Sequence, residues 1–172
     1  MRSKVFLFAG LCSVLLWVAC SPGIDKNKFV SASRAAGEVQ GAIASGVTYQ
    51  RLGELLQGLA AEIAALHERV KSRKERELAE EYSQLLKIYQ DGFLLWRYRA
   101  EFSGHDFVPK GRIYVGQDVE PIVTRYRLST ESHIFGPTRQ SWKSISENAI
   151  RIVWFNADAQ RKKIDMLLQE EG

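Results

Sequence analysis

The 172-residue chain is poor in the residues that crosslink proteins or hold metals: two cysteines and three histidines. Cys12 lies within the first twenty residues, so once a leader is removed Cys20 is the only thiol left. An internal disulfide is then excluded, and the fold must rest on its apolar core. His67, His105 and His133 show no HxxxH or HExxH spacing. There is no G-x-S-x-G or S-x-x-K nucleophile motif and no glycine-rich phosphate loop. Internal repeats and low-complexity segments are also missing. The formal charge is only +4 and falls to +2 when Arg2 and Lys4 are lost with a leader. That excess is too small, and no recognisable module accompanies it, so nucleic acid is not an expected partner.

What is present at the start is an export signal. Arg2 and Lys4 precede an uncharged run, Val5 to Ala19, too short to span a bilayer comfortably, and small Ala19 stands before Cys20. Val18, Ala19 and Cys20 resemble the lipobox of bacterial lipoproteins, with Trp17 where that class usually has leucine. The resemblance implies removal of residues 1–19 and lipid attachment to Cys20. The mature protein is then held at the membrane of the cell envelope. Ser21, not aspartate, follows the cysteine, which by the same resemblance implies the outer membrane in a cell that has two. Thioether attachment also removes what would be an odd, reactive thiol in an oxidising compartment.

Removing residues 1–19 from the 172 leaves 153, enough for one domain with a real core. Residues 20–28 read as a lipidated polar tether with Pro22 and Gly23, and residues 29–172 as a helical domain. Phe29, Ala32, Ala36, Val39 and Ile43 mark one face of a first helix. Ser33, Gly37, Gly41 and Ser45 form a second stripe, small enough to admit another helix closely. Thr48 is placed to cap a second helix carrying Leu52, Leu55, Leu56, Leu59, Ile63, Leu66 and Val70. After a charged turn at Lys71–Lys74, a third helix aligns Leu78, Tyr82, Leu85, Tyr89, Phe93 and Trp96. These two predict an antiparallel hairpin, and Gly92 within it predicts a kink or a close contact.

Helical signal stops near Phe102. Residues 103–117 read as irregular, with Arg112–Val115 a short extended piece, and Asp118 is expected to cap a short helix bearing Val119, Ile122, Val123 and Tyr126. Ser129–Lys143 reads as irregular again. Ser144 with Glu147 has the spacing of a capping box, so a last helix is expected to bury Ile145, Ala149, Ile152, Val153, Ala157, Ile164, Leu167 and Leu168. The fold class is therefore mainly α, a helical bundle with a long central hairpin and an irregular segment before the last helix. The stretch from Gly111 to Trp154 resembles small bacterial proteins without an assigned activity, and implies none here.

Several clusters invite a chemical reading. His105 and Asp106, with Glu131 and His133, are the only candidates for a mixed nitrogen and oxygen metal site, but solvated loop residues fit them better. Glu77, Glu80 and Glu81 alternate with basic residues as a solvated helix face does. Arg97 and Arg99 suit either an anionic ligand or solvent. The run Arg69–Arg76 is basic with only Glu75 opposing it, and suits a solvated turn or contact with headgroups or an acidic partner. Tyr82, Tyr89, Phe93, Trp96, Trp142, Trp154 and Phe155 belong to a core or border an apolar pocket.

No constellation predicts catalysis, a metal or a cofactor. The leading expectation is a non-enzymatic, lipid-anchored domain that binds another envelope protein or supports an assembly. A small-molecule-binding helical domain is the alternative, and an enzyme with an unrecognised site the weaker one. The contact surface is expected in residues 103–143, with His105, Asp106, Arg112 and Trp142 as its candidate residues.

Overall fold

A computed structural model describes residues 23–170, so the predicted signal peptide and Cys20 lie outside the described residues. A 3-10 turn, Lys26–Phe29, leads into α1 (Val30–Ser45), α2 (Tyr49–Arg69) and α3 (Arg73–Phe102). Strand β1 (Arg112–Tyr114) and the short α4 (Glu120–Arg125) follow, then β2 (Thr130–Phe135), β3 (Gln140–Ser146) and α5 (Asn148–Glu170). The architecture is mainly helical, as the sequence predicts, with a small antiparallel sheet ordered β1-β3-β2. Among the described residues no helix is long and apolar enough to cross a membrane.

Local chemistry sets the helix ends. Gly46, at φ 83°, ends α1 in a left-handed conformation that costs glycine little. The Thr48 hydroxyl accepts from the Arg51 N–H at 3.3 Å and opens α2. Ser72 and Glu75 form a reciprocal capping box that opens α3, each side chain taking the other's backbone N–H at 3.2 Å. Close approaches of Gly53 to Phe93 and of His67 to Ser83 show that α2 and α3 run antiparallel. Helix α5 runs back along α3: Arg99 meets Glu147 at one end, and Glu81 meets Lys163 at the other.

Two apolar cores result. Phe29, Val39, Leu52, Leu59, Leu66, Leu78, Tyr82, Leu85, Tyr89 and Ile164 fill the four-helix part. Leu95, Ile113, Val119, Ile122, Ile145 and Val153 fill a second core between the C-terminal part of α3, the sheet, α4 and α5. Trp154 bridges them, its ring packed against Gly92, where an added Cβ would come within 2.2 Å of Cζ3. The close contact expected at Gly92 is thus a space reserved for an indole. Asp91, beside it, is buried; it accepts a hydrogen bond from Arg125 and another from the Tyr126 hydroxyl at 2.9 Å, fixing α4 to α3.

Four expectations are corrected. Residues 129–143 are not irregular, because Thr130–Phe135 and Gln140–Ser146 pair as a hairpin. Ser144 does not cap a helix; it is a buried strand residue, and α5 starts only at Asn148. Ile145 is accordingly core through the sheet, and Ile152 is 45% exposed because it lies off the α5 stripe of Ala149, Ile150, Val153, Ala157 and Ile164 that faces the core. Asp118 makes no cap for α4, which follows Val119, and instead accepts from the Tyr98 hydroxyl. The small-residue stripe admits no helix closely. Arg161 lies across Ser33 and near Gly37, donating to the Ser33 carbonyl and hydroxyl, and nothing lies within 4 Å of a Cβ at Gly41.

Candidate functional site

The end of α3 breaks into a chain of tight turns that carry aromatic side chains outward. The His105 N–H donates to the Phe102 carbonyl and the Val108 N–H to that of His105, while Val108 is buried. Phe107 is thereby left at the surface, 37% exposed. Gly111, at φ 77°, turns the chain into β1, and Tyr114 emerges on the same side. The β2–β3 hairpin then folds across this region and contributes Phe135 and Trp142.

These elements enclose an open recess of about 670 Å³, lined by Phe102, Phe107, Tyr114, Phe135, Gln140, Ser141 and Trp142. The rings form a connected network. Phe107 meets Trp142 edge-on at 5.5 Å between centroids and Phe135 at 6.1 Å. Tyr114 lies 5.1 Å from Phe102 and 5.8 Å from Trp142. The other side of Trp142 belongs to a second recess of about 380 Å³ with Asp106, Phe107, His133 and Ile134. Ile134 is 73% exposed, on the strand that forms the sheet's outer edge.

A polar layer braces the network from behind. His133 stacks on Trp142 at 4.2 Å, and its Nε2 lies 2.8 Å from the Ser144 hydroxyl. Arg112 donates from Nε to the same hydroxyl at 3.0 Å, and its guanidinium pairs with Glu131 at 2.9 Å. Arg112 therefore holds β1, β2 and β3 in register and does not line the recess.

Of the four candidate contact residues, Trp142 lines both recesses, Asp106 lines the second, and His105 joins the ring network through Phe102 and Phe107. Arg112 is their support. Phe102, Phe107, Tyr114 and Phe135 were not singled out from the sequence; Phe102 ends α3, Tyr114 and Phe135 end strands, and Phe107 sits in the loop between, so no shared spacing marks them. Among the described residues no three His, Cys, Asp or Glu side chains gather to hold a metal. Arg97 is spent on Glu101 and Asp118, and Arg99 on Glu147. Trp96 and Trp154 border a separate recess of about 240 Å³ away from Trp142, so the aromatic interior does not form one shared cavity with it.

Chemically, the site offers ring faces and edges with few fixed charges at its surface. Such a lining gains from apolar and aromatic groups and gives them a preferred orientation through the ring quadrupoles. No family model, no curated protein and no solved structure matches this chain.

Proposed function

We propose that this protein is a lipid-anchored protein of the bacterial cell envelope that acts by binding, with the aromatic recess as its contact surface for another envelope protein. One observation carries the reading. Aromatic side chains from α3, the 103–111 loop and all three strands converge on an open recess, and a polar layer centred on the buried Ser144 holds the strands beneath it. Rigid aromatics that present large area at low entropic cost are the usual anchors of protein interfaces. From Glu75 to Phe102, α3 rises about 1.5 Å per residue, which sets the recess about 40 Å from the tether's entry point. A tether at one end and a recognition surface at the other suit a module that reaches from a membrane to a partner.

A small apolar molecule is the second reading, favoured by the recess volume, which falls in the range of ordinary ligand sites.

Photocrosslinking in the native membrane separates the two. With a crosslinking residue at Gln140, wild type is expected to give a discrete protein adduct, lost when Phe107→Ala and Trp142→Ala are combined. A lipid- or metabolite-sized adduct favours the second reading, and an adduct unchanged by the double substitution refutes both. Cys20→Ser is expected to release the protein from the membrane fraction or to leave it as an unprocessed precursor. Maturation and fractionation like wild type would refute the anchor.

A further inference from the structure

The chain enters the bundle beside a basic corner. The Asp25 N–H lies 3.4 Å from Glu75 Oε1, and Lys28 Nζ reaches the same oxygen at 2.7 Å. The other oxygen of Glu75 takes the N–H groups of Lys71 and Ser72 at 3.0 and 3.2 Å. The segment before α1 is thus fastened to the turn between α2 and α3. That turn carries Arg69, Lys71, Arg73, Lys74 and Arg76. The single acid among them, Glu75, is buried and already engaged by Lys28, so it does little to offset the outward charge. Arg73 is 87% exposed and meets Glu77 only as a surface pair, and Arg69 is 4.0 Å from Glu62. Pairs of that kind hold loosely in water.

Counting Lys26 and Lys28 with the turn gives seven cations, set against Asp25, Glu62, Glu68, Glu75 and Glu77, an excess of two. The chain without residues 1–19 has the same excess of two, so the corner's net charge equals that of the whole domain. Cys20 lies five residues before Asp25, a distance that even a fully extended chain limits to about 17 Å. Compact arrangements of so short a tether bring the corner within the screening length of about 8 Å at physiological salt.

On the lipid-anchored reading above, on which this step rests, we infer that the corner formed by Lys26 and Arg69–Arg76 seats on an anionic bilayer surface. The lipid fixes the protein to the membrane, and the corner sets its posture: α3 stands along the membrane normal and the aromatic recess faces away. Each cation held close to an anionic leaflet is worth about fivefold in binding, so a few suffice to orient a domain that cannot diffuse away.

The test uses the mature, acylated full chain reconstituted on phosphatidylcholine vesicles, with or without phosphatidylglycerol. With Cys20 acylated, Glu68→Cys or Thr138→Cys supplies the one free thiol for an environment-sensitive fluorophore. Co-flotation with neutral vesicles reads the anchor alone, and protein that does not float overturns the lipid-anchored reading and the seating with it. If the seating is right, phosphatidylglycerol raises emission severalfold at position 68, leaves position 138 unchanged, and loses its effect at high salt. Lys71→Glu with Arg73→Glu should return position 68 to its neutral-vesicle level while flotation persists. An acidic residue at position 73, the first of α3, suits the helix dipole, and Lys71 lies before the Ser72 cap and meets Glu75 only through its backbone N–H, so this pair should leave α3 intact. Flotation with equal emission at position 68 on both vesicle types overturns the seating alone. So does a phosphatidylglycerol response that survives the double substitution.

Discussion

Replacing Glu75 by glutamine removes one charge from a site that is only 3% exposed and keeps its shape. Burial works against the carboxylate's charge. The Lys28 ammonium and the N–H groups of Lys71, Ser72 and Asp25 outweigh it and hold the pKa down to about 2, from an ordinary 4.5. A shift of about 2.5 units corresponds to about 3 kcal/mol in favour of the ionised form in the folded state. The unfolded chain takes up the proton near pH 4.5 and the folded chain only near 2. The contribution is therefore complete above about pH 4.5 and lost as the pH falls toward 2. Glutamine still offers an oxygen to the N–H groups, and Lys28 can turn to water, so the expected loss at pH 7 is about 2–3 kcal/mol. Urea unfolding followed by circular dichroism, repeated from pH 7 down to pH 3, measures it. The gap between wild type and variant should be widest at neutral pH and should shrink below pH 4.5. A gap that is the same at pH 7 and pH 3, or none at pH 7, would show that the charge does not hold this corner together.

Two further substitutions probe the cores. Gly92→Ala places a Cβ 2.2 Å from the Trp154 ring, and the overpacking cost of about 1–3 kcal/mol should exceed the gain of up to about 1 kcal/mol from helix propensity. Thermal melting should show a net loss, partly restored by adding Trp154→Phe, whereas a raised melting temperature would mean that the indole moves aside freely. Among the described residues the Tyr89 hydroxyl has no hydrogen-bond partner, and burial pushes its pKa up to about 12. The unfolded chain loses that proton near pH 10, so wild type should weaken between pH 10 and 12. Tyr89→Phe should weaken less there and be no less stable at pH 7, and equal alkaline losses in the two proteins would refute the assignment.

The central hairpin was legible because Leu52 to Val70 and Leu78 to Trp96 repeat at helical spacing, and their buried faces answer to that period alone. The sheet was not. Thr130–Phe135 is an edge strand exposed along most of its length, so it lacks the apolar alternation that marks a half-buried strand. Gly136-Pro137 then reads as loop when it is the connection of a hairpin. The two S-x-x-E sequences make the same point from opposite sides. Ser72 and Glu75 sit in a run that looks like a solvated basic turn, yet they form the capping box. Ser144 and Glu147 look like a helix start, yet Ser144 pairs with Tyr114 and Glu131 across the sheet. Capping is a local motif, and strand pairing with residues 13 and 30 positions away overrides it. The candidate site was legible as a region, 103–143, and in Trp142. It was not legible as a recess, because Phe102, Phe107, Tyr114 and Phe135 are scattered through the sequence and meet only once the hairpin folds over β1.

The clasp at Glu75 also decides where mechanical load enters the domain. A pull on the tether of an anchored chain does not begin by peeling α1 from its neighbours. It first meets Asp25 and Lys28 at the base of α3, where the ammonium and backbone contacts with one carboxylate share the strain. Force that passes this point is delivered to the turn joining α2 and α3, along the axes of a hairpin held by interlocked leucines. The domain is gripped by its base, and its first helix is spared the leverage.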